Sequence, residues 1–406
     1  MCMKSRNVLL LYGIIFFHHL IPAYVIERLF WEERGMSVLD VVFCEMIYAG
    51  TIIIFEIPSG ILADKFGRKR MLVIGSILSF LEIFILLFAY HFWVFGLAVF
   101  LAGIATACTS GSRNALLYDT LVLEKRENQF EKIVGRMNAL DLVAVIIAAI
   151  SGGILANIYH FEFNYMISSI SLFFVLLLTC FLREVDVNKN LKGEMKDDRN
   201  FLRLFSSAIH FFRNQPSVVR IMIHSMAIAA CMTYMDEFWQ LYLNEIGWSV
   251  LFFGVFSALI SIISIPGNLF AGYLLHVMKA QTIIMIVLLM ITTGFFLTAL
   301  IPNVFGVIVM AFMFLVSGVV EPIVTGYLHR RTESFIRATV DSFQSLLERI
   351  FTLTIGIGFG AIANSANIFT GFFFLGIVML LFTVSYFFMD QIKKINLVKN
   401  QHHNAK

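Results

Sequence analysis

The chain has 406 residues, of which 59% are apolar and only 14% charged, against roughly 45–50% and 25% in soluble globular proteins. A soluble fold of this size cannot hide so much apolar surface. That excludes a soluble enzyme, a nucleic-acid binder and a disordered chain, and apolar runs of about 20 residues also exclude a transmembrane β-barrel, whose strands alternate over about 10.

Twelve helical spans are predicted in chain order, at 8–26, 41–63, 71–90, 93–113, 136–157, 165–182, 217–240, 251–274, 282–300, 304–325, 342–363 and 367–388. Twelve spans of about 21 residues need about 252 positions, close to the apolar total. The first run, Val8 to Val25, ends in Ile-Glu-Arg rather than a small-residue cleavage site, so it reads as a retained span. With the N-terminus cytoplasmic, 28 of the 30 basic residues fall on the cytoplasmic side and only Arg28 and Arg34 outside. This asymmetry sets the orientation, with both termini inside. Trp31, Trp93, Trp239 and Trp248 fall at predicted outer boundaries, as an interfacial belt would place them. Cys2, Cys44, Cys108, Cys180 and Cys231 form no CxxC, so neither disulfide nor metal framework is expected.

The longest polar stretch separates two sets of six spans. The expected domains are a bundle at 1–182, a cytoplasmic linker at 183–216 and a second bundle with a short basic tail at 217–406. Within the linker, Phe201, Leu204, Phe205, Ala208, Ile209 and Phe212 share a helical face opposite Arg203, His210 and Arg213. That pattern predicts a short amphipathic helix on the membrane surface. The halves repeat: Gly35-Met36-Ser37 matches Gly247-Trp248-Ser249 at an offset of 212, Ile57-Pro58 matches Ile265-Pro266 at 208, and Tyr118 matches Tyr327 at 209. Parallel six-helix repeats build one large class of transporters.

Between the second and third spans stands Gly60-Ile61-Leu62-Ala63-Asp64-Lys65-Phe66-Gly67-Arg68-Lys69-Arg70-Met71-Leu72. Gly60 leaves room for a helix to approach, Asp64 can cap a neighbouring helix N-terminus, and Gly67 permits a tight turn. Arg68, Lys69 and Arg70 anchor the loop on the cytoplasmic side. This segment resembles the loop signature of the major facilitator superfamily, and the resemblance extends over essentially the whole chain. It implies an all-α membrane protein of twelve transmembrane helices in two pseudo-symmetric six-helix bundles. It further implies a conformational latch in which Asp64 and Arg68 join an acid at the cytoplasmic end of span four, where Asp119 stands. The second-half counterpart, Gly272 to Gln281, lacks the Asp and the Arg-Lys pair, so the latch is expected on one half only. Two other family features differ: Arg113 lies near the cytoplasmic end of span four rather than mid-span, and Ser151-Gly152-Gly153 on span five lacks proline.

Charged groups at membrane depth need a reason, since each costs about 2.5–3.5 kcal/mol on insertion scales. Glu45 and Glu56 are 11 residues apart on span two and share one face. A carboxyl group at the depth of Glu56 can carry a coupling proton or touch substrate; the alternative is a structural ion pair. Arg113 and Glu321 sit on spans that line the cavity in this superfamily, and a gating pair between them is one reading, bonding within each half the other. His18 and His19 point about 100° apart, so at most one faces a cavity; either a proton relay or a satisfied core histidine fits.

The expected function is secondary active transport of a small organic solute by alternating access, with H+ as the coupling partner and the lipid bilayer as surroundings. Efflux is the expected direction, because Ser110-Gly111 and Ala115-Leu116-Leu117-Tyr118-Asp119 also resemble bacterial drug and metabolite efflux permeases. Uptake by the same fold is the alternative, and a transport-dead scaffold or sensor, or a membrane-embedded transferase, is the different-class alternative. No catalytic residues, cofactor, metal, nucleotide or nucleic acid are expected, and the location expected is the plasma membrane as a multi-pass monomer.

Overall fold

A computed structural model describes residues 6–185, 210–332 and 337–404, and every regular element among them is helical. Among the described residues, eleven helices are long and apolar enough to cross a membrane. The Arg68–Leu86 helix has 19 residues, opens on Arg68-Lys69-Arg70 and carries Glu82. At about 1.5 Å per residue it reaches about 28 Å, enough to span, and it completes a set of twelve. In chain order the spans are a broken first span (Arg6–His19 and Pro22–Val25), then Val38–Phe66, Arg68–Leu86, Phe92–Leu123, Phe130–Ile158 and Phe161–Cys180. The seventh to twelfth are Pro216–Glu245, Leu251–Val277, Ala280–Leu300, a broken tenth (Val304–Ser317 and Val320–His329), Arg337–Ser365 and Ile368–Asn404. Most of the surface helix expected around 201–212 lies outside the described residues.

The chain forms two compact units, 1–196 with 243–261 and 197–242 with 262–406. In the first, the third span packs on the fourth and sixth, the second on the fourth, and the first on the fifth and sixth. In the second, the ninth packs on the tenth and twelfth, and the eleventh on the twelfth.

The internal repeat is visible as one turn built twice. Gly35 and Gly247 adopt φ of +85° and +78°. The Gly35 N–H donates to the Glu32 carbonyl at 2.9 Å and the Met36 N–H to that of Trp31 at 3.0 Å. The Gly247 N–H donates to Asn244 at 2.9 Å and the Trp248 N–H to Leu243 at 3.0 Å. This left-handed helix ending needs a residue without Cβ strain. After the first copy, Ser37 and Asp40 form a reciprocal capping box that starts the second span.

Arg28 and Arg34 are fixed in the segment before that turn. Arg28, 4% exposed, sits 2.7 Å from Glu45 and stacks over the Trp31 ring. Arg34 lies 2.6 Å from Glu162 and over the Tyr90 ring. Trp31 and Trp239 are buried, unlike the interfacial belt read from their positions, and only Trp93, 79% exposed, stands fully in the open. Trp31 is drawn inward because its ring carries Arg28 and its indole N–H donates to the Tyr165 hydroxyl at 3.3 Å.

Candidate functional site

The loop between the second and third spans turns at Gly67, whose φ is +105°. A Cβ there would fall 2.5 Å from a Glu184 carboxylate oxygen. Glycine therefore serves both the turn and the approach of Glu184, whose two oxygens accept from the Arg68 and Lys69 backbone N–H groups at 3.0 Å each. These are orphan donors at the start of the third span, and a carboxylate suits that positive end. The Arg68 guanidinium in turn donates to the Asp119 carboxylate on the fourth span. Asp119 is 16% exposed, so this is a charge-assisted bond shielded from water. Asp64 is 4.0 Å from Arg68 and 73% exposed, and such a pair contributes little. A Cβ built on Gly60 would meet nothing within 4 Å, so the close helix approach read from that glycine is not made inside its own unit. Glu184 had no motif to reveal it: it lies 116 residues from Arg68, and its one signal is an acid just past the last apolar residue of span six.

The first span breaks after His19, where Pro22 starts a short 3-10 turn. The sixth span supplies the hydrogen bonds that the break leaves unmade. Asn164, fully buried, donates to the Pro22 carbonyl at 3.1 Å and to Gly152 at 2.9 Å. Ser168 accepts from the Ala23 N–H at 3.0 Å, and Ser171 donates to the Phe17 carbonyl at 2.7 Å. A non-helical stretch at membrane depth persists only with such partners.

At this break stands a cluster of titratable groups. His19 Nδ1 is 2.9 Å from Asp141 Oδ1 on the fifth span, and the side chains are 34% and 39% exposed. The contact becomes an ion pair when His19 carries a proton, and its angle falls short of a hydrogen bond. Arg113, on the fourth span, lies within electrostatic reach of Asp141, His19 and His18. Of the two histidines it is His19 that meets a carboxylate. His18 instead borders a hollow of about 30 Å³ shared with Ser76, Thr109, Arg113 and Thr179, room for about one water. Span two does not carry one uniform acidic stripe. Glu45 is held by Arg28, whereas Glu56 is exposed and its side chain makes no hydrogen bond or ion pair among the described residues.

The tenth span breaks at Gly318 and Val319. Its second piece opens on Val320-Glu321-Pro322. Proline costs no hydrogen bond in a first helical turn, and a glutamate there faces the positive helix end. Beside this break lies a cavity of about 500 Å³ within the second unit. Glu321, Thr325 and His329 line it from the tenth span, Ser225, Met226 and Met232 from the seventh, and Gln344 and Glu348 from the eleventh. Glu348 lies within electrostatic reach of Glu321 and Arg349. Asp141 stands beside the first break and Glu348 beside the tenth. No group of three His, Cys, Asp or Glu among the described residues is disposed to hold a metal ion.

Among solved structures, the nucleoside transporter NupG superposes with a TM-score of 0.75 at 16% identity, covering 95% of this chain and 99% of that one. A bacterial homologue of the human lysosomal transporter Spinster, inward-facing and unoccupied, gives 0.74 at 13% identity over 95% and 97%. At such identities the likeness concerns the fold alone. In sequence, the MFS-type transporter YxaM of Bacillus subtilis (strain 168) is 22% identical over 86% of this chain and 88% of its own length. The class H tetracycline resistance protein of Pasteurella multocida is 23% identical over 71% and 70%. A transporter of Buchnera aphidicola subsp. Schizaphis graminum is 31% identical, with 37% of each chain spanned. The sequence profile of the Major Facilitator Superfamily matches residues 8–350. With twelve spans, the internal repeat and this match over most of its length, the chain belongs to the major facilitator superfamily, a family of membrane transporters and not of enzymes.

Proposed function

We propose that this protein exports a small organic solute across the plasma membrane by proton-coupled alternating access, as a monomer with both termini in the cytoplasm. The observation that carries the reading is the cavity of about 500 Å³ at the break of the tenth span. Organic ligands occupy pockets of about 300–1,000 Å³, and interrupted spans are where transporters of this kind bind their cargo. The 28-to-2 distribution of basic residues supports the orientation. The relation to a tetracycline resistance protein supports export. In this reading the coupling proton is carried by Glu56 and by the His19–Asp141 pair, and Arg68, held by Asp119, is the latch of the cytoplasmic loop.

The test uses purified protein in liposomes with an imposed pH gradient and a panel of dyes, antibiotics and metabolites. Gradient-driven flux of at least one compound, lost in Glu56→Gln or Asp141→Asn, is expected. Absence of flux for the whole panel overturns the proposal, and flux that runs with the proton rather than against it replaces export by uptake.

A further inference from the structure

We infer that the cavity of the second unit binds an organic cation, clasped between the carboxylates of Glu321 and Glu348. The assignment deepens the transport reading and rests on it for the cavity's role. Three features of the cavity point the same way.

The first is charge. Two glutamates reach the same hollow from different spans, Glu321 from the tenth and Glu348 from the eleventh, and neither lysine nor arginine is among the described residues that line it. The tenth-span helix end favours Glu321 through its dipole, and Glu348 feels Glu321 as a like charge and Arg349, outside the lining, as an opposite one. Two carboxylates sharing one hollow at membrane depth leave an excess of negative charge, against which the described lining sets only His329.

The second is size and surface. About 500 Å³ is far more than a bare metal ion fills, and no metal-holding group is formed among the described residues. Met226, Met232, Ile228, Val320 and Val324 give the wall a soft apolar face, and thioethers adapt to irregular or bulky ligands. Ser225, Gln344 and Thr325 add neutral hydrogen-bonding groups. An apolar cation with a delocalised or alkylated positive centre matches this mixture better than a sugar, which would need many amides, or an anion, which both acids repel.

The third is position. The cavity opens at the interruption of the tenth span, where the helix restarts with Glu321 in its first turn. A binding carboxylate at a helix restart moves with that half-helix, so a cation bound there is linked directly to the span that must move.

Equilibrium binding of radiolabelled tetraphenylphosphonium to the purified full-length protein tests this, with tetraphenylborate as the anion of matching shape and tetraethylammonium as a smaller cation. Saturable binding of a cation and none of tetraphenylborate is expected. Glu321→Gln and Glu348→Gln should each weaken binding at least tenfold, and the double variant should abolish it, while Glu131→Gln on the fifth span leaves it unchanged. Should the double variant not fold, Met232→Trp fills the cavity and should abolish binding by bulk alone. Equal binding of the anion, no binding of either cation, or cation binding unaffected by these changes overturns the inference. Acid-dependent binding without any gradient-driven flux supports this site and sinks the transport reading, so the two fail separately.

Discussion

The first and tenth spans are both interrupted, and they treat their charges in opposite ways. At the first break the fixed charges stand in opposite signs, Asp141 within reach of Arg113, with His19 2.9 Å from the Asp141 carboxylate. The backbone is as fully served, through Asn164, Ser168 and Ser171. At the tenth break two acids share an open cavity whose described lining holds no lysine or arginine, and Arg349, beyond the lining, lies within electrostatic reach of Glu348. A closed electrostatic set stores a fixed arrangement; an unbalanced one calls for something from outside. By the repeat the tenth span answers to the fourth and the first to the seventh, and neither counterpart is interrupted, so each half breaks at a different position of the repeat.

The comparison breaks most readily at Asn164. Asn164→Ala removes two buried hydrogen bonds, to the Pro22 and Gly152 carbonyls. Each such bond contributes about 0.5–1.5 kcal/mol, so the thermal unfolding midpoint in detergent should fall by a few degrees. An unchanged midpoint means the sixth span does not hold the break. The next effect is on transport: Arg68→Ala and Asp119→Asn should each slow flux about tenfold, or about 1.4 kcal/mol in the rate-limiting barrier, with normal expression. Wild-type rates in both would leave that ion pair as an anchor of the loop only.

Smaller but more discriminating is a contrast of sign. Asp141→Asn removes one side of a half-exposed pair and should cost about 0.2–1 kcal/mol of stability. Glu321→Gln removes one of two like charges and should raise stability, by about 0.5 kcal/mol at most in such a hydrated place. Thermal shifts of the same sign in the two variants would erase the distinction between the breaks. The least effect belongs to Asp64→Asn: with its carboxylate 73% exposed, stability should move by less than about 0.5 kcal/mol.

How much of this could be read from the sequence depends on distance along the chain. The spans and the repeat follow from apolar run lengths and from short segments matching at near-constant offset, which are local. The loop from Gly60 to Leu72 was legible because its residues are contiguous. Arg68's link to Asp119 came from family resemblance, and Glu184 escaped because a cap 116 residues away has no local trace. The pairing of His19 with Asp141 crosses from the first span to the fifth, and no periodicity connects them. The fifth helix begins at Phe130, six residues before the span predicted from apolar composition, so Asp141 lies deeper along it than that span implies. The breaks did leave signals, Pro22 in one span and Gly318 with Pro322 in the other. Apolar composition ran unbroken through both, and hydropathy is blind to hydrogen-bond direction. Trp31 misled because an aromatic ring at a span end reads as interfacial, whatever arginine lies over it.

The order of synthesis gives the first interruption a history. Pro22, Ala23 and Phe17 enter the bilayer long before Asn164, Ser168 and Ser171 leave the ribosome. Until then the nascent segment must either stay wet or run straight, because hydrocarbon offers its peptide groups nothing. The bend is thus a late event in biogenesis, imposed backwards by the last helix of its own bundle, and a product truncated before residue 161 would carry the unmet groups that membrane quality control removes.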